Sequence, residues 1–223
     1  MWKDLRPPPD QRFVAIADLR PTQVTVGLRE VRIKRERWRR KDCDDVAGFL
    51  WNNCIPVVLG PDERRHIVDR HHLARALQEE GVVKWPIIVV ADDSRLDRDE
   101  FWAALEARNW THPFDDCGRR RDYSDLPESI TDLVDDPYRS LAGALKRAGI
   151  YKKDKSPFSE FRWANFLRSR IDRNTVDRDF DSALALAARL AVTPHARHLP
   201  GFFSKSCGAS EYTRDRCLSF GRR

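Results

Sequence analysis

The chain has 223 residues, 41% hydrophobic and 34% charged, with 41 Lys and Arg against 35 Asp and Glu and a formal net charge of +6. No apolar run approaches the ~20 residues of a membrane span, and the opening Met1-Trp2-Lys3-Asp4-Leu5-Arg6-Pro7 carries no signal-peptide core. The five cysteines (Cys43, Cys54, Cys117, Cys207, Cys217) form no CxxC pair, which argues against a disulfide framework or a structural zinc site. The expectation is a soluble cytoplasmic protein with reduced thiols, of one large domain or a domain with an appendage.

In chain order, residues 1–12 are Pro-rich and polar and read as a flexible leader. Phe13 to Ile16 reads as a strand, and Leu19-Arg20-Pro21-Thr22-Gln23 as a turn. Val24-Thr25-Val26-Gly27 opens a further element. Leu28 to Arg40 suits a helix with Val31, Lys34 and Trp38 on one face. This segment contains most of the densest basic run, Arg32 to Lys41, and Arg119-Arg120-Arg121 is a second. A basic run with an interleaved Trp can grip a nucleic-acid backbone. A solvated helix face with Trp38 folded onto the core is the commoner arrangement.

Asp44 to Asn52 predicts a short helix capped near Asp42, and Ile55 to Leu59 a buried strand. A Gly60-Pro61-Asp62 turn leads back into a strand at Arg65 to Val68. Val83 to Val90 is a strand, and Asp99 to Arg108 a helix with Phe101, Trp102 and Leu105 on one face. Residues 109–125 read as a loop. Tyr138 to Ala148, Phe158 to Ile171 and Phe180 to Ala191 each have helical periodicity, with Gly149 placed as a C-cap. The organisation expected is thus an α/β domain over 13–110, a helical region over 126–203, and a disordered tail over 204–223.

The segment Ile67-Val68-Asp69-Arg70-His71-His72-Leu73-Ala74-Arg75-Ala76-Leu77 is the most informative. A short apolar run ends in an acid, a base and two histidines, and an amphipathic helix begins at once, with Gly81 as its stop. A helix N-terminus offers backbone N–H donors and a partial positive charge, which suits an anion. Two plainer roles stand beside this one: Asp69 as an N-cap, and the histidines as solvated first-turn residues. Adjacent histidines point to different sides of a helix, which disfavours a zinc site built on both.

Taken together, Leu19-Arg20-Pro21-Thr22-Gln23, Val26-Gly27, Glu30-Val31, Lys34 and Asp69-Arg70-His71-His72 resemble the ParB/sulfiredoxin superfamily. The resemblance is to its ParB-like nuclease branch, which is related to the free-serine kinases. Asp136-Pro137-Tyr138-Arg139-Ser140-Leu141-Ala142 and Phe158-Ser159-Glu160-Phe161-Arg162-Trp163-Ala164 extend it to about residues 13–200. It implies an α/β (α+β) fold with a mixed sheet, followed by helices. It also implies that the turn handles nucleotide phosphates, with ATP or ADP and Mg2+ as the implied cofactors.

On that basis Arg70, His71, His72 and Arg75 are assigned to phosphate. Asp69 is assigned to magnesium and catalysis, Glu30 to the role of general base, and Thr22, Gln23 and Lys34 to substrate. Without the resemblance, Glu30 reads as an exposed acid pairing with Lys34 at i,i+4. The sulfiredoxin cysteine is missing from the Asp69 turn, which argues against sulfinic-acid reduction. No clear helix-turn-helix follows residue 110, which argues against reading a centromere sequence. The implied activity is phosphoryl transfer to a small hydroxylated metabolite. The alternative is a DNA-binding protein or metal-dependent nuclease recruiting Glu30, Asp69 and Asp62. Trp85 and Trp102 are expected in the core. His66 is left open between core, solvent and site, and no role is assigned to His112, His195 or His198.

Overall fold

The computed structural model describes residues 13–40, 46–154 and 156–203. The leader, Asp42 and the tail beyond residue 203 lie outside the described residues. The chain divides into two compact units, Met1–Asp136 and Pro137–Arg223.

The first unit is built on a mixed five-stranded sheet in the order β1-β6-β4-β5-β2. Its strands are β1 (Phe13–Ala15), β2 (Leu19–Pro21), β4 (Ile55–Leu59), β5 (Arg65–Ile67) and β6 (Lys84–Asp92). β1 runs antiparallel to β6 and β4 antiparallel to β5, whereas β4–β6 and β2–β5 are parallel. The β4–β5 hairpin turns through Gly60 and Pro61–Glu63, with Asp62 at φ 58° and Glu63 at φ 55°. A separate parallel pair joins β3 (Thr25–Val26) to β7 (Val134–Asp135).

Leu19 to Pro21 reads as a turn by sequence but forms β2. Its backbone pairs with β5 from Leu19↔Arg65 to Pro21↔Ile67, so tertiary pairing overrides the local turn signal of Pro21. A proline is tolerated because β2 stands at the edge of the sheet.

Side chains alternate across each strand, which gives the sheet two faces. Ile55, Val57, Ile67 and Leu19 join one buried cluster with Val31 of α1 (Leu28–Arg39) and Leu73, Ala74 and Leu77 of α3 (His71–Glu79). Val58 faces the other way, into a cluster with Phe101, Trp102 and Leu105 of α4 (Arg98–Ala107). Asp97 and Glu100 form a complete capping box at the start of α4. A short helix, α2 (Val46–Asn52), precedes β4.

Trp38 lies half-buried against Phe49 and Trp85, with ring centroids at 5.9 and 5.5 Å. Arg35 and Arg39 from the same run pair with Glu79 and Glu80 at the end of α3, at 2.6–2.8 Å. The second basic run is engaged too: Arg120 pairs with Glu106 at 2.7 Å and Arg121 with Asp115 at 2.9 Å. Five of the arginines in the two runs thus face carboxylates, counting the looser Arg40–Glu36 pair at 4.0 Å.

The second unit is helical: α5 (Pro137–Arg147), α6 (Ser159–Arg168), α7 (Arg173–Arg178) and α8 (Phe180–Ala191). Fully buried Trp163 stacks on Tyr151 at 4.4 Å and donates its indole N–H to the Pro200 carbonyl at 2.9 Å. α7 is polar and six residues long, too short for a period to show in the sequence. Asp172 and Asp179, accepting from Thr175 and Ser182, cap α7 and α8.

Candidate functional site

β5 ends at Ile67, and the chain turns through Val68, Asp69 and Arg70 into α3. The N-cap of α3 is Arg70, in the left-handed region at φ 68°, ψ 26°. Asp69 does not cap the helix through its side chain. Its Oδ1 instead accepts from the Arg70 N–H at 2.6 Å, and its carboxylate is exposed. The Arg70 guanidinium is drawn to the α2–β4 junction, donating to Asn53 Oδ1 at 3.2 Å and the Asn52 carbonyl at 2.9 Å. Burial there pulls its pKa below the ordinary value, with Asp69 opposing.

The two histidines reach the same chain segment at different points. The buried His71 accepts the Thr22 N–H at Nε2, at 3.2 Å. His72 Nε2 accepts the Gly27 N–H at 3.0 Å, and Gly27 is the N-cap of α1. An Nε2 that accepts from an amide carries no proton, so each ring is a neutral tautomer with its proton on Nδ1. Thr22 is fixed further: its hydroxyl lies 2.8 Å from both the Ile67 and the Trp110 carbonyls. Gln23 is buried and donates to the Thr25 carbonyl at 2.7 Å. The Leu28 N–H at the start of α1 is met by Asp135 Oδ1 at 2.8 Å.

Of the residues singled out by sequence, Thr22, His71, His72 and the Asp69 turn are thus brought together. Glu30 stands on the first turn of α1, half-buried, with Lys34 one turn further along. Arg75 is drawn off to the other side: it pairs with Glu79 at 2.6 Å and donates to the Ile130, Thr131 and Leu133 carbonyls. Gly27, named by sequence only within the Val26-Gly27 motif, also builds the site, as do Asn53, Trp110 and Asp135, which sequence reasoning missed. Their contributions are backbone groups and long-range contacts, which leave no local motif.

His71→Ala is expected to lower stability by about 2 kcal/mol, because the Thr22 amide is left buried without an acceptor. His71→Gln, which keeps an acceptor, is expected to recover part of that loss in urea unfolding.

Glu30, Asp69 and Asp62 do not form a multidentate metal cluster among the described residues. Among the described residues, the group of three donors close enough for one ion is Asp115, Asp116 and Cys117, without Glu30, Asp69 or Asp62. Asp115 is already committed to the Cys117 and Arg119 amides and to Arg121. Magnesium often takes one or two carboxylates and completes its shell with phosphate and water. The exposed Asp69 carboxylate fits that pattern.

A family model described as "Putative ParB-like nuclease" matches residues 12–169. The chain belongs to this ParB-like family. It is similar to the crystal structure of protein Atu1540 from Agrobacterium tumefaciens, with 49% identity and a TM-score of 0.81, over 87% of this chain and 98% of that one. No curated protein matches the chain. The mixed sheet with its helices is the α/β fold of the ParB/sulfiredoxin type.

Proposed function

We propose that this ParB-like protein binds ATP or ADP with Mg2+ and transfers a phosphoryl group to a small hydroxylated metabolite. The observation that carries this reading is the pair of bonds from His71 to Thr22 and from His72 to Gly27. The second fastens the start of α3 to the N-cap of α1, whose Leu28 N–H is met by Asp135, and the first ties α3 to Thr22. Arg70 does not cap α3 with its side chain. Such an arrangement favours a phosphate held largely by main chain.

In this reading the histidines, Thr22 and Gln23 position the turn. Asp69 would hold Mg2+, which neutralises phosphate charge when bound. Glu30 takes the proton from the acceptor hydroxyl, and Lys34 attracts the anionic end of a substrate. Arg70 and Arg75 brace the turn from either side instead of contacting phosphate.

The rival within the same family is a metal-dependent nuclease. It needs carboxylates gathered around metal, and Glu30, Asp69 and Asp62 do not gather. The deciding experiment incubates the protein with labelled ATP or ADP, Mg2+ and a panel of hydroxylated metabolites, free serine among them. Label is expected on one acceptor and is lost on chelation with EDTA. Transfer to no acceptor, together with Mg2+-dependent cleavage of DNA, overturns the reading in favour of the nuclease.

A further inference from the structure

A cleft of about 200 Å3 opens in the first unit on the α4 side of the sheet. Parallel pairing places Arg20 of β2 beside His66 of β5. Their neighbours Leu19 and Ile67 face the α1–α3 core, so Arg20 and His66 face α4. Phe101 and Trp102 lie against the His66 ring at 4.7 and 5.5 Å, and Tyr123 stacks on Trp102 at 5.1 Å with planes 8° apart. Pro21, Pro61 and Pro127 also line the cleft. These walls have few rotamers to lose, so little order must be imposed when a ligand enters.

Three guanidinium groups, from Arg20, Arg64 and Arg98, line the same cleft. Arg20 donates to the Glu128 carbonyl. The Glu128 carboxylate, 75% exposed, lies 3.9 Å from Arg20 and 4.0 Å from Arg64, beyond hydrogen-bond length. The Arg98 guanidinium has no ion pair or hydrogen bond among the described residues. His66 is 8% exposed, and its ring forms no hydrogen bond among the described residues, with Nδ1 buried and unpartnered. Buried polar groups are nearly always satisfied, so such an exception asks for a partner.

We infer that this cleft binds a small anion carried on one flat ring, an aromatic or heteroaromatic carboxylate or phosphate. The acid group lies among Arg20, Arg64 and Arg98, and the ring rests against Trp102 and Tyr123 beside His66. The volume lies below the ~300–1,000 Å3 usual for drug-sized ligands, which restricts the occupant to about one ring. Glu128 holds the place of the ligand's anion and is displaced by it. The cleft lies across the sheet from the α1–α3 turn, so its occupant is not the nucleotide assigned to that turn.

The test uses the full chain labelled with 15N-histidine, titrated with benzoate, phenyl phosphate, inorganic phosphate and benzyl alcohol. Benzoate or phenyl phosphate is expected to shift the His66 ring signals saturably, with signals assigned from their loss in His66→Gln. Tighter binding of benzoate assigns a carboxylate ligand, and tighter binding of phenyl phosphate a phosphate ligand. Inorganic phosphate and benzyl alcohol are expected to bind at least about tenfold more weakly, each lacking half of the recognised chemistry. Arg98→Ala, at an exposed position, is expected to weaken binding roughly tenfold. Glu128→Gln is expected to strengthen it several-fold by removing the competing carboxylate. The inference is overturned if neither acid gives a saturable shift, or if benzyl alcohol binds as tightly as benzoate. Unchanged affinity in both Arg98→Ala and Glu128→Gln also overturns it. None of the probes is a nucleotide, so the result stands apart from the phosphoryl-transfer reading.

Discussion

Glu30→Gln is expected to lower phosphoryl transfer by about 10²–10⁴-fold, the usual contribution of a positioned general base. Gln has the shape of Glu and nearly its helix propensity, so α1 should persist. The substitution removes the ability to take a proton. A negative charge near the α1 N-terminus is also lost, which costs about 0.3–1 kcal/mol of helix stability and leaves the fold intact. The measurement is a comparison of initial rates at saturating nucleotide, with circular dichroism as the control for folding. A variant that transfers at the wild-type rate removes Glu30 as the base. A variant with unchanged kcat and a raised KM would make Glu30 a binding group instead.

Acid is expected to destabilise the first unit through His66. Burial, and after it the charges of Arg64 and Arg20, lowers its pKa from 6.5 to about 4. In the unfolded chain the ring takes up a proton below pH 6.5, whereas in the folded chain it does so only near pH 4. Between those values the unfolded state binds more protons, so stability falls as pH is lowered. The full shift corresponds to about 3 kcal/mol, reached as pH approaches the folded value. Urea unfolding at pH 7 and pH 4.5 should therefore show a larger acid loss in the wild type than in His66→Gln. Equal acid losses in the two proteins would show that His66 is not held neutral by folding.

Much of the first unit is legible in the sequence because its elements carry clear periods. Ile55 to Leu59 reads as a buried strand and forms β4 at those residues. The helix read from His71 to about Glu80 runs from His71 to Glu79, with Gly81 at φ 73° after it. In the second unit, Phe180 to Ala191 is the helix its apolar spacing predicts. What escaped depends on partners far along the chain. β2 was hidden because three residues around a proline show no pattern until β5 lies beside them. β7 is two residues long and exists only by pairing with β3.

The site was legible as a place, not as a set of contacts. An acid, a base and two histidines before a helix mark the turn. Nothing local shows that Arg70 bends back to Asn52 and Asn53, or that Arg75 reaches the carbonyls of residues 130–133. His66 was undecidable by sequence, because alternation places it on a face without saying what covers that face.

The histidine pair also has a consequence in time. His71 and His72 are consecutive, yet their acceptor nitrogens hold amides at Thr22 and Gly27. Neither amide is released by fraying of a loop, because each is tied to the first turn of a helix whose apolar face is buried. Exposure of either to solvent therefore requires α3 to leave its seat. Under native conditions the two amides should exchange with solvent deuterium at nearly the same slow rate, opening together as one cooperative unit.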